Sequence, residues 1–273
     1  MENKNIVMLK HHPMNVFFTN AFYVNQFESG DNPENYTIID VTSRNKDKEF
    51  INCISPFFVG PCTASDGTEF KRFENMWQFG KVYEGNTVFN KLLSVKKKEE
   101  IPFVCSDENG NPTEEWFNIR KIGSESELAY RRPFSGKPLY HYFVNTDGQT
   151  ERIDYVTSRK KVYIPEYAKL VYNTPSFKKL KEIADGGKKL ALVDFDAYNY
   201  YNDRYLSILY NSYITKSGRM DAGLSDFLSI NKMKDAVNFS NLALGHGFVL
   251  KMLLQNDIEV KNGKVYDNVG ILE

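Results

Sequence analysis

Apolar residues occur in this chain only in short runs that end at charged or turn-forming residues. No window approaches the roughly 20 apolar residues that a membrane-spanning helix needs, and the N-terminus lacks an apolar stretch of signal-peptide type. No repeat of fixed period is visible, which argues against a solenoid or a propeller. Hydrophobic residues make up 41% and charged residues 26% of the 273 residues, as in ordinary globular proteins. We therefore expect one folded domain of short strands and helices.

The balance of charge and the number of cysteines narrow the classes of partner. Lys plus Arg and Asp plus Glu each number 35, so a nucleic-acid partner would require a local basic patch. Cys53, Cys62 and Cys105 lack a CxxC spacing, which argues against a disulfide scaffold and against a structural zinc site. We expect a reducing, cytoplasmic compartment.

Residues 1–83 read as short strands that lead into one helix. Strand-like runs at residues 15–18, 36–39 and 57–59 are separated by polar breaks. The Asp-Gly pair at 66–67 predicts a tight turn, and two strands are expected to pair across it as a hairpin. Residues 73–83 combine apolar positions with good helix formers and predict a helix.

The C-terminal half carries clearer signals for helices. The Ile-Pro pair at 164–165 and the Thr-Pro pair at 174–175 each predict a helix with proline in its first turn. Residues 189–193 predict a buried strand, which is followed by acidic residues at 194 and 196. Residues 241–254 predict a last helix, although its two glycines disfavour that conformation.

Three polar residues of the first predicted helix are spaced to share one of its faces. Glu74, Gln78 and Lys81 stand at i, i+4 and i+7, which places Gln78 and Lys81 within about 40° of Glu74 around a helix. One interpretation is a solvated surface stripe, which is common on helices. The other is a set of side chains that point inward, toward a ligand.

Several segments match a known pattern in order along the chain. They begin with ISPFF at 54–58, Asp-Gly at 66–67 and FENMWQFGK at 73–81. This order resembles the opening of the NADAR (NAD and ADP-ribose associated) family, in which a strand and a hairpin lead to a Glu-x-x-x-Gln-x-x-Lys helix. The match covers about a third of the chain when the downstream segments are included.

The downstream segments resemble the same family in the same order. RIDY at 152–155 stands where the family has a basic-x-Asp-Trp step, and Lys169 stands for an internal lysine of the following helix. A Pro-x-x-x-x-Leu helix at 175–180, a Gly-Gly turn and an acid-ended strand come next. The sequence NLALG at 241–245 is similar to the family's Asn-x-Leu-Gly helix.

The resemblance implies an α+β fold and hydrolysis of an N-glycosidic bond without a metal or organic cofactor. The substrates that it implies are ADP-ribosylated guanine in nucleic acid or phosphorylated riboflavin precursors. Two features depart from the family: Tyr155 replaces the expected Trp, and an Asp-x-x-Trp-Gly step is absent after the acidic strand. The chain is also longer, so we expect a single NADAR-like domain with insertions of strands and loops at about 84–150 and 198–238.

The chemistry assigns roles to the candidate residues. Breaking a ribosyl C1–N bond develops positive charge on the sugar, which a buried carboxylate near C1 can stabilise. Glu74 is the first candidate for this carboxylate, followed by Asp196 and Asp154. Lys81 can neutralise phosphate or attack C1 of the opened sugar as a nucleophile. The residues expected to bind the substrate are Phe57, Trp77, Gln78, Arg152, Tyr155, Lys169, Asp194, Asn241 and Gly245.

Two alternatives stay open at the level of sequence. The first is a binding module for ADP-ribose or a nucleotide that has lost turnover with its altered acid and aromatic positions. The second is a related glycosidase that acts on a modified base or a free nucleotide. The histidines, including His141 and His246, are assigned structural roles, because an isolated histidine is seldom catalytic.

Overall fold

The structure is a computed structural model. In it the chain forms two compact units. The middle unit contains residues 52–171, and the terminal unit contains residues 1–51 and 172–273. The residues that the structure describes are 6–10, 36–94, 97–132, 136–187, 189–194, 196, 232–238, 240 and 243–273. Helices and small sheets are both present, which confirms the predicted α+β class.

The described strands are β1 (Ile6–Lys10), β2 (Tyr36–Asp40), β3 (Cys62–Thr63), β4 (Glu69–Phe70), β5 (Lys81–Val82), β6 (Asn86–Leu92), β7 (Lys98–Val104), β8 (Tyr130–Arg131), β9 (Tyr140–Val144), β10 (Thr150–Ile153), β11 (Lys189–Asp194), β12 (Ile258–Lys261) and β13 (Lys264–Asp267). The described helices are α1 (Lys48–Asn52), α2 (Phe73–Phe79), α3 (Glu114–Glu125), α4 (Tyr155–Ser158), a π turn (Arg159–Tyr163), α5 (Ile164–Val171), α6 (Pro175–Asp185), α7 (Lys232–Asn238) and α8 (His246–Gln255).

Helix α2 lies at the centre of the middle unit, and all of its residues are buried. It packs against α3 and β8. The Asn75 side chain joins these elements: its Nδ2 donates to the carbonyls of Gly123 and Leu128, both at 3.0 Å, and its Oδ1 accepts from the Tyr130 N–H at 2.8 Å. A buried polar side chain with partners on both sides fixes the position of the helix around it.

The strands that precede and follow this helix in the chain form three small antiparallel sheets. The hairpin of β3 and β4 turns at Asp66-Gly67, as predicted. The orders of the other two sheets are β10-β9-β5 and β7-β6-β8. Helix α3 begins after Thr113, whose Oγ1 accepts from the Trp116 N–H at 3.1 Å, and the Trp116 side chain donates to the Lys81 carbonyl at 3.1 Å. The segment predicted as strands and loops therefore also supplies a helix that supports β5.

The terminal unit is built on a parallel sheet of order β1-β11-β2. The predicted strand 189–193 is confirmed as its central strand, and α8 packs on β1 and β11. Helix α6 begins as predicted at the Thr174 cap, whose Oγ1 accepts from the Phe177 N–H at 3.2 Å. Because parallel strands end at one edge of a sheet, Asp194 lies at the carboxyl edge of the central strand.

Four predicted elements differ from the structure. Residues 57–59 form a turn and not a strand, because the Ser55 carbonyl accepts from the N–H groups of Phe58 and Val59 at 2.9 and 3.0 Å. The helix predicted over 73–83 ends at Phe79, where Gly80 caps it. The segment predicted to start at Ile164 is already helical from Tyr155.

The last predicted helix is also shorter than expected. Helix α8 begins at His246 with Gly245 as its N-cap, so the described residues 243–245 are not helical. The strand predicted at 15–18, residues 198–231 of the second predicted insertion, and Asn241 lie outside the described residues. None of the helices in the described part of the chain has the length and hydropathy needed to cross a membrane.

Candidate functional site

Glu74 is held at the start of α2 by the turn that precedes it in sequence. Its backbone N–H donates to the Pro56 carbonyl, and the N–H of Phe73 donates to the Val59 carbonyl, both at 2.9 Å. These bonds satisfy N–H groups that the first turn of a helix leaves without a partner. The ISPFF segment therefore serves to fix the N-terminus of α2, and with it the position of the Glu74 carboxyl group.

Glu74, Gln78 and Lys81 form one hydrogen-bonded series inside the middle unit. Gln78 Nε2 donates to Glu74 Oε1 at 2.9 Å, and Lys81 Nζ donates to Gln78 Oε1 at 3.0 Å. Their exposed fractions are 8%, 8% and 4%, which excludes the alternative of a solvated stripe. We call these three side chains the polar series. No described residue donates to Glu74 Oε2, so one oxygen of the acid is left for a ligand or water.

Lys81 reaches the polar series from a strand and not from the helix. The chain leaves α2 at Gly80, and Lys81 pairs with His141 in the β5–β9 ladder. A Cβ at Gly80 would lie 2.2 Å from Cε1 and Nε2 of the His141 ring, so a side chain there would displace the imidazole. Glycine at this position thus allows the helix to end against β9, and this places Lys81 beside Gln78.

An aromatic layer lies under the polar series. Lys81 Nζ is 4.3 Å from the centroid of the Trp77 ring, and the His141 ring stacks on Trp77 with centroids 5.2 Å apart. Burial, together with the charges of Lys81 and Arg120, lowers the pKa of His141 to about 3. The imidazole is therefore neutral at physiological pH. Trp77 is only 6% exposed, so it supports Lys81 and does not offer an open face to a base.

Tyr155 is the more accessible aromatic residue of this neighbourhood. It is half-buried, with its ring centroid 6.1 Å from that of Trp77, and the guanidinium of Arg159 lies 4.3 Å from the Tyr155 centroid. Arg159 is fully buried and belongs to the π turn. Single π turns within helices are frequent at functional sites. The π turn also precedes Pro165. Proline has no backbone N–H, so it cannot make the i→i−4 hydrogen bond of an α-helix.

Asp154, predicted as a catalytic acid, caps helix α4. Its Oδ1 accepts from the Thr157 N–H and its Oδ2 from the Thr157 hydroxyl, both at 2.8 Å. Partial burial opposes ionisation, but the hydrogen bonds from Thr157 outweigh it and hold the pKa of Asp154 below its ordinary value. Both oxygens are committed to the cap, which is a structural role.

Two residues predicted to bind substrate are engaged in other contacts. Arg152 donates to Asn111 Oδ1 at 2.6 Å and lies over the Tyr140 ring at 4.9 Å, on the exposed side of β10. Phe57 lies in the turn before α2, under the guanidinium of Arg131 at 4.5 Å. The structure does not bring these side chains into contact with the polar series.

Lys169 lines a separate cavity of about 400 Å³ in the middle unit. It pairs with Glu166 at 2.6 Å. Burial, aided by the charge of Glu166, raises the pKa of the Cys62 thiol to about 12, so that thiol is not activated as a nucleophile. The residues that line the cavity are Cys62, Thr63, Ala64, Ser65, Phe143, Lys161, Val162, Glu166, Lys169 and Leu170. The polar series is not among them.

In the terminal unit, Asp194 fixes the start of helix α8. Its Oδ2 accepts from the Gly247 N–H at 2.7 Å and lies 3.5 Å from Nδ1 of His246, and its Oδ1 accepts from the Asp196 N–H at 3.3 Å. A Cβ at Gly245 would lie 2.5 Å from Asp194 Oδ2, so glycine there allows this close approach. Asp194 is 1% exposed, and Asp196 is half-buried.

The comparisons with known proteins add no relative to this picture. No family model, curated protein or solved structure matches the chain. The NADAR resemblance thus stays a prediction that depends on the segments quoted above. Within the described residues, no group of three or more His, Cys, Asp or Glu side chains could hold a metal ion.

Sequence reasoning missed two residues beside the polar series. The contact of His141 with Trp77 depends on the pairing of β9 with β5, which no local signal in the sequence indicates. Arg159 lies in a basic run at 159–161 that reads as surface charge. Its burial within a π turn is visible only in the structure.

Proposed function

We propose that the chain is a NADAR-like N-glycosidase that hydrolyses the bond between ribose C1 and a base nitrogen in an ADP-ribose-type adduct. ADP-ribosylated guanine in nucleic acid is the first substrate to test. The observation that supports this proposal is the state of Glu74: the carboxyl group is buried, one oxygen is oriented by Gln78, and no described residue donates to the other.

In this proposal Glu74 acts on the charge that develops when the C1–N bond breaks. The ribose becomes positively charged as the base leaves, and a fixed carboxylate beside C1 lowers the energy of that state. A carboxylate screened from water interacts more strongly with the sugar than an exposed one does. Gln78 holds Glu74 in place, so the carboxylate does not have to reorganise during the reaction.

Lys81 supplies the cation of the proposed site. Its Nζ donates to the Gln78 oxygen and lies over the Trp77 ring, two contacts that attract a cation. As an ammonium it offsets the charge of Glu74 and can stabilise negative charge on the departing base or on a phosphate. Attack on C1 of the opened sugar would first require loss of this proton.

A non-catalytic module that binds ADP-ribose or a nucleotide is the second candidate. Glycosidases that hydrolyse by general acid–base chemistry ordinarily use two carboxylates. In the middle unit Asp154 is committed to its helix cap, and this favours binding without turnover. A glycosidase that acts on a modified base or a free nucleotide would use the same Glu74 chemistry.

The experiment is to incubate the protein with guanine-ADP-ribosylated DNA and to follow the release of ADP-ribose. Wild type is compared with Glu74→Gln and with Lys81→Met, which removes the ammonium but keeps the length of the side chain. Glu166→Gln and Lys71→Ala serve as controls, since both residues are occupied in other ion pairs of the middle unit. Release by wild type that both site variants lack supports the proposal. Full activity of both site variants contradicts it, and binding without release favours the module.

We also propose a cytoplasmic location. Cys53, Cys62 and Cys105 are all free thiols, as is usual for proteins of a reducing compartment. Labelling the thiols in the protein from its native cell, before and after reduction, checks this: equal labelling is expected.

A further inference from the structure

Tyr83 carries a buried hydroxyl group that forms no hydrogen bond with the described part of the chain. The residue is 3% exposed, and no described residue accepts from or donates to its oxygen. Leaving a buried polar group unpaired costs roughly 1–3 kcal/mol, so such groups call for an explanation. One explanation is that the partner belongs to a ligand.

Tyr83 lies beside the proposed site. It follows β5 and stands two positions after Lys81, the spacing that puts side chains on the same side of an extended chain. Burial raises the pKa of Tyr83 above its ordinary value; the charge of Arg132 opposes this, while Cys105, Tyr155 and Glu74 add to it. The phenol is therefore protonated, and it lies within the electrostatic reach of the Glu74 carboxylate.

Arg132 is held next to the Tyr83 ring by Gly136. The Gly136 carbonyl accepts a hydrogen bond from Arg132 Nη1. A Cβ added to Gly136 would be 3.5 Å from Cδ1 and Cε1 of Tyr83, so this glycine lies directly on the ring. A guanidinium carries five N–H donors. This contact uses one N–H of the half-buried Arg132 side chain, and no other described residue accepts from its remaining donors, which could bind an anion.

We infer that Tyr83 and Arg132 form an anion subsite next to Glu74, and that the subsite binds a phosphate group of the ribosyl substrate. A neutral O–H donor and a guanidinium together match phosphate oxygens. The charges of Arg132 and Glu74 both act on the Tyr83 hydroxyl group, and Lys81 donates to Gln78, the partner of Glu74. These two cations offset the repulsion between Glu74 and a bound phosphate. The identification of the sugar depends on the proposed function, whereas anion binding does not.

Calorimetry with ribose 5-phosphate, ribose and inorganic phosphate tests the subsite. We expect wild type to bind ribose 5-phosphate more tightly than either of the other ligands. Tyr83→Phe should weaken the binding of ribose 5-phosphate by about tenfold, since a hydrogen bond to a charged group is lost. Arg132→Gln should weaken it at least as much. Neither substitution should change the weaker affinity for ribose.

Tyr130→Phe is the matched control, because Tyr130 is also fully buried with a hydroxyl that has no described partner. It should leave the affinity for ribose 5-phosphate unchanged, and neither Tyr→Phe variant should lower the melting temperature. Equal affinities of wild type and Tyr83→Phe overturn the inference. A melting temperature that is lowered in Tyr83→Phe but not in Tyr130→Phe also overturns the inference, because it would indicate a structural partner for the hydroxyl. Failure of the wild type to bind ribose 5-phosphate overturns it as well.

The outcome for the subsite is separate from the outcome for catalysis. If Glu74→Gln keeps full hydrolysis while Tyr83→Phe loses affinity for ribose 5-phosphate, the proposed function falls and the subsite stands. If Glu74→Gln abolishes hydrolysis while Tyr83→Phe binds ribose 5-phosphate as wild type does, the subsite falls and the proposed function stands.

Discussion

Glu74 and Asp194 are both buried carboxylates, but their oxygens are engaged to different extents. Asp194 accepts from the N–H groups of Gly247 and Asp196 and faces His246, so both of its oxygens have partners. From the described residues, Glu74 receives a hydrogen bond at one oxygen only. Burial alone therefore does not identify a chemically available acid. The available acid is the one whose position is fixed while an oxygen is left unengaged.

The residues around each carboxylate explain this difference. Asp194 is enclosed by glycines at 245 and 247, and a Cβ at either position would lie within 2.6 Å of its Oδ2. It thereby joins the end of a strand to the start of a helix. Glu74 is fixed through its backbone and through Gln78, and no described residue donates a hydrogen bond to its Oε2. Four experiments can break or sharpen the comparison.

The largest expected effect is on catalysis by Glu74→Gln. The amide keeps an oxygen for Gln78 Nε2 but carries no charge, so hydrolysis should fall roughly 10²- to 10⁴-fold. The free energy of unfolding should stay the same or rise, because a charge no longer has to be desolvated. Rate assays and urea denaturation of the same preparation measure both quantities. A large loss of stability would indicate that Glu74 has a structural role, as Asp194 does.

The substitution Arg120→Met tests Asp66, a second acid whose two oxygens both have partners. Arg120 donates to both oxygens of Asp66 at 2.9 Å and to the Phe79 carbonyl at 2.9 Å. Removing the buried Arg120 leaves the half-buried Asp66 carboxylate and the Phe79 carbonyl without this partner, which should cost about 2 kcal/mol of unfolding free energy. Arg72→Met is the control, since its partner Glu127 is exposed. Equal losses in urea denaturation would contradict this account of Arg120.

Asp194→Asn should destabilise the terminal unit. The substitution removes the charge at the start of α8 and turns one acceptor into a donor, which should cost about 2 kcal/mol. Asp185→Asn is the control, because Asp185 is an exposed residue that pairs with Lys181. Unfolding of the two variants in urea, followed by circular dichroism, gives the difference. If Asp194→Asn has the same free energy of unfolding as wild type, the distinction between Asp194 and Glu74 is wrong.

The smallest expected effect is a dependence of stability on pH through Asp66. Burial opposes its ionisation, but the charge of Arg120 and hydrogen bonds from Thr68 outweigh it and lower the pKa of Asp66. A lowered pKa contributes stability above the unfolded value of about 3.9, and this contribution is lost as pH falls through the folded value. Urea denaturation at pH 6 and pH 3 should therefore show a smaller decrease for Asp66→Asn than for wild type. An equal decrease would show that Asp66 does not contribute.

Local signals were sufficient for the elements that they encode. The Asp-Gly hairpin at 66–67, the Thr174 cap and the strand at 189–193 were predicted from sequence and are confirmed. Each depends on residues that are close in the chain. The inward orientation of Glu74 and Gln78 is also confirmed, since apolar residues such as Phe73 and Phe79 bury the whole of α2.

Long-range contacts account for most of what was missed. The pattern at 73–83 continues as a helix by propensity, but Gly80 ends it where the His141 ring packs. The pairing of Lys81 with His141 joins residues far apart in sequence, so no window could predict it. Helix α3 is different: the Pro-Thr-Glu-Glu start at 112–115 was a readable signal of a helix cap.

A crystal structure of the protein with ADP-ribose tests the central claim most directly, through the distance from Glu74 to C1 of the ribose. We predict that C1 lies within about 4 Å of Glu74 Oε2, the range in which a carboxylate can act on the reacting carbon. ADP-ribose bound in the cavity beside Lys169, with Glu74 Oε2 covered by protein side chains, would contradict the account.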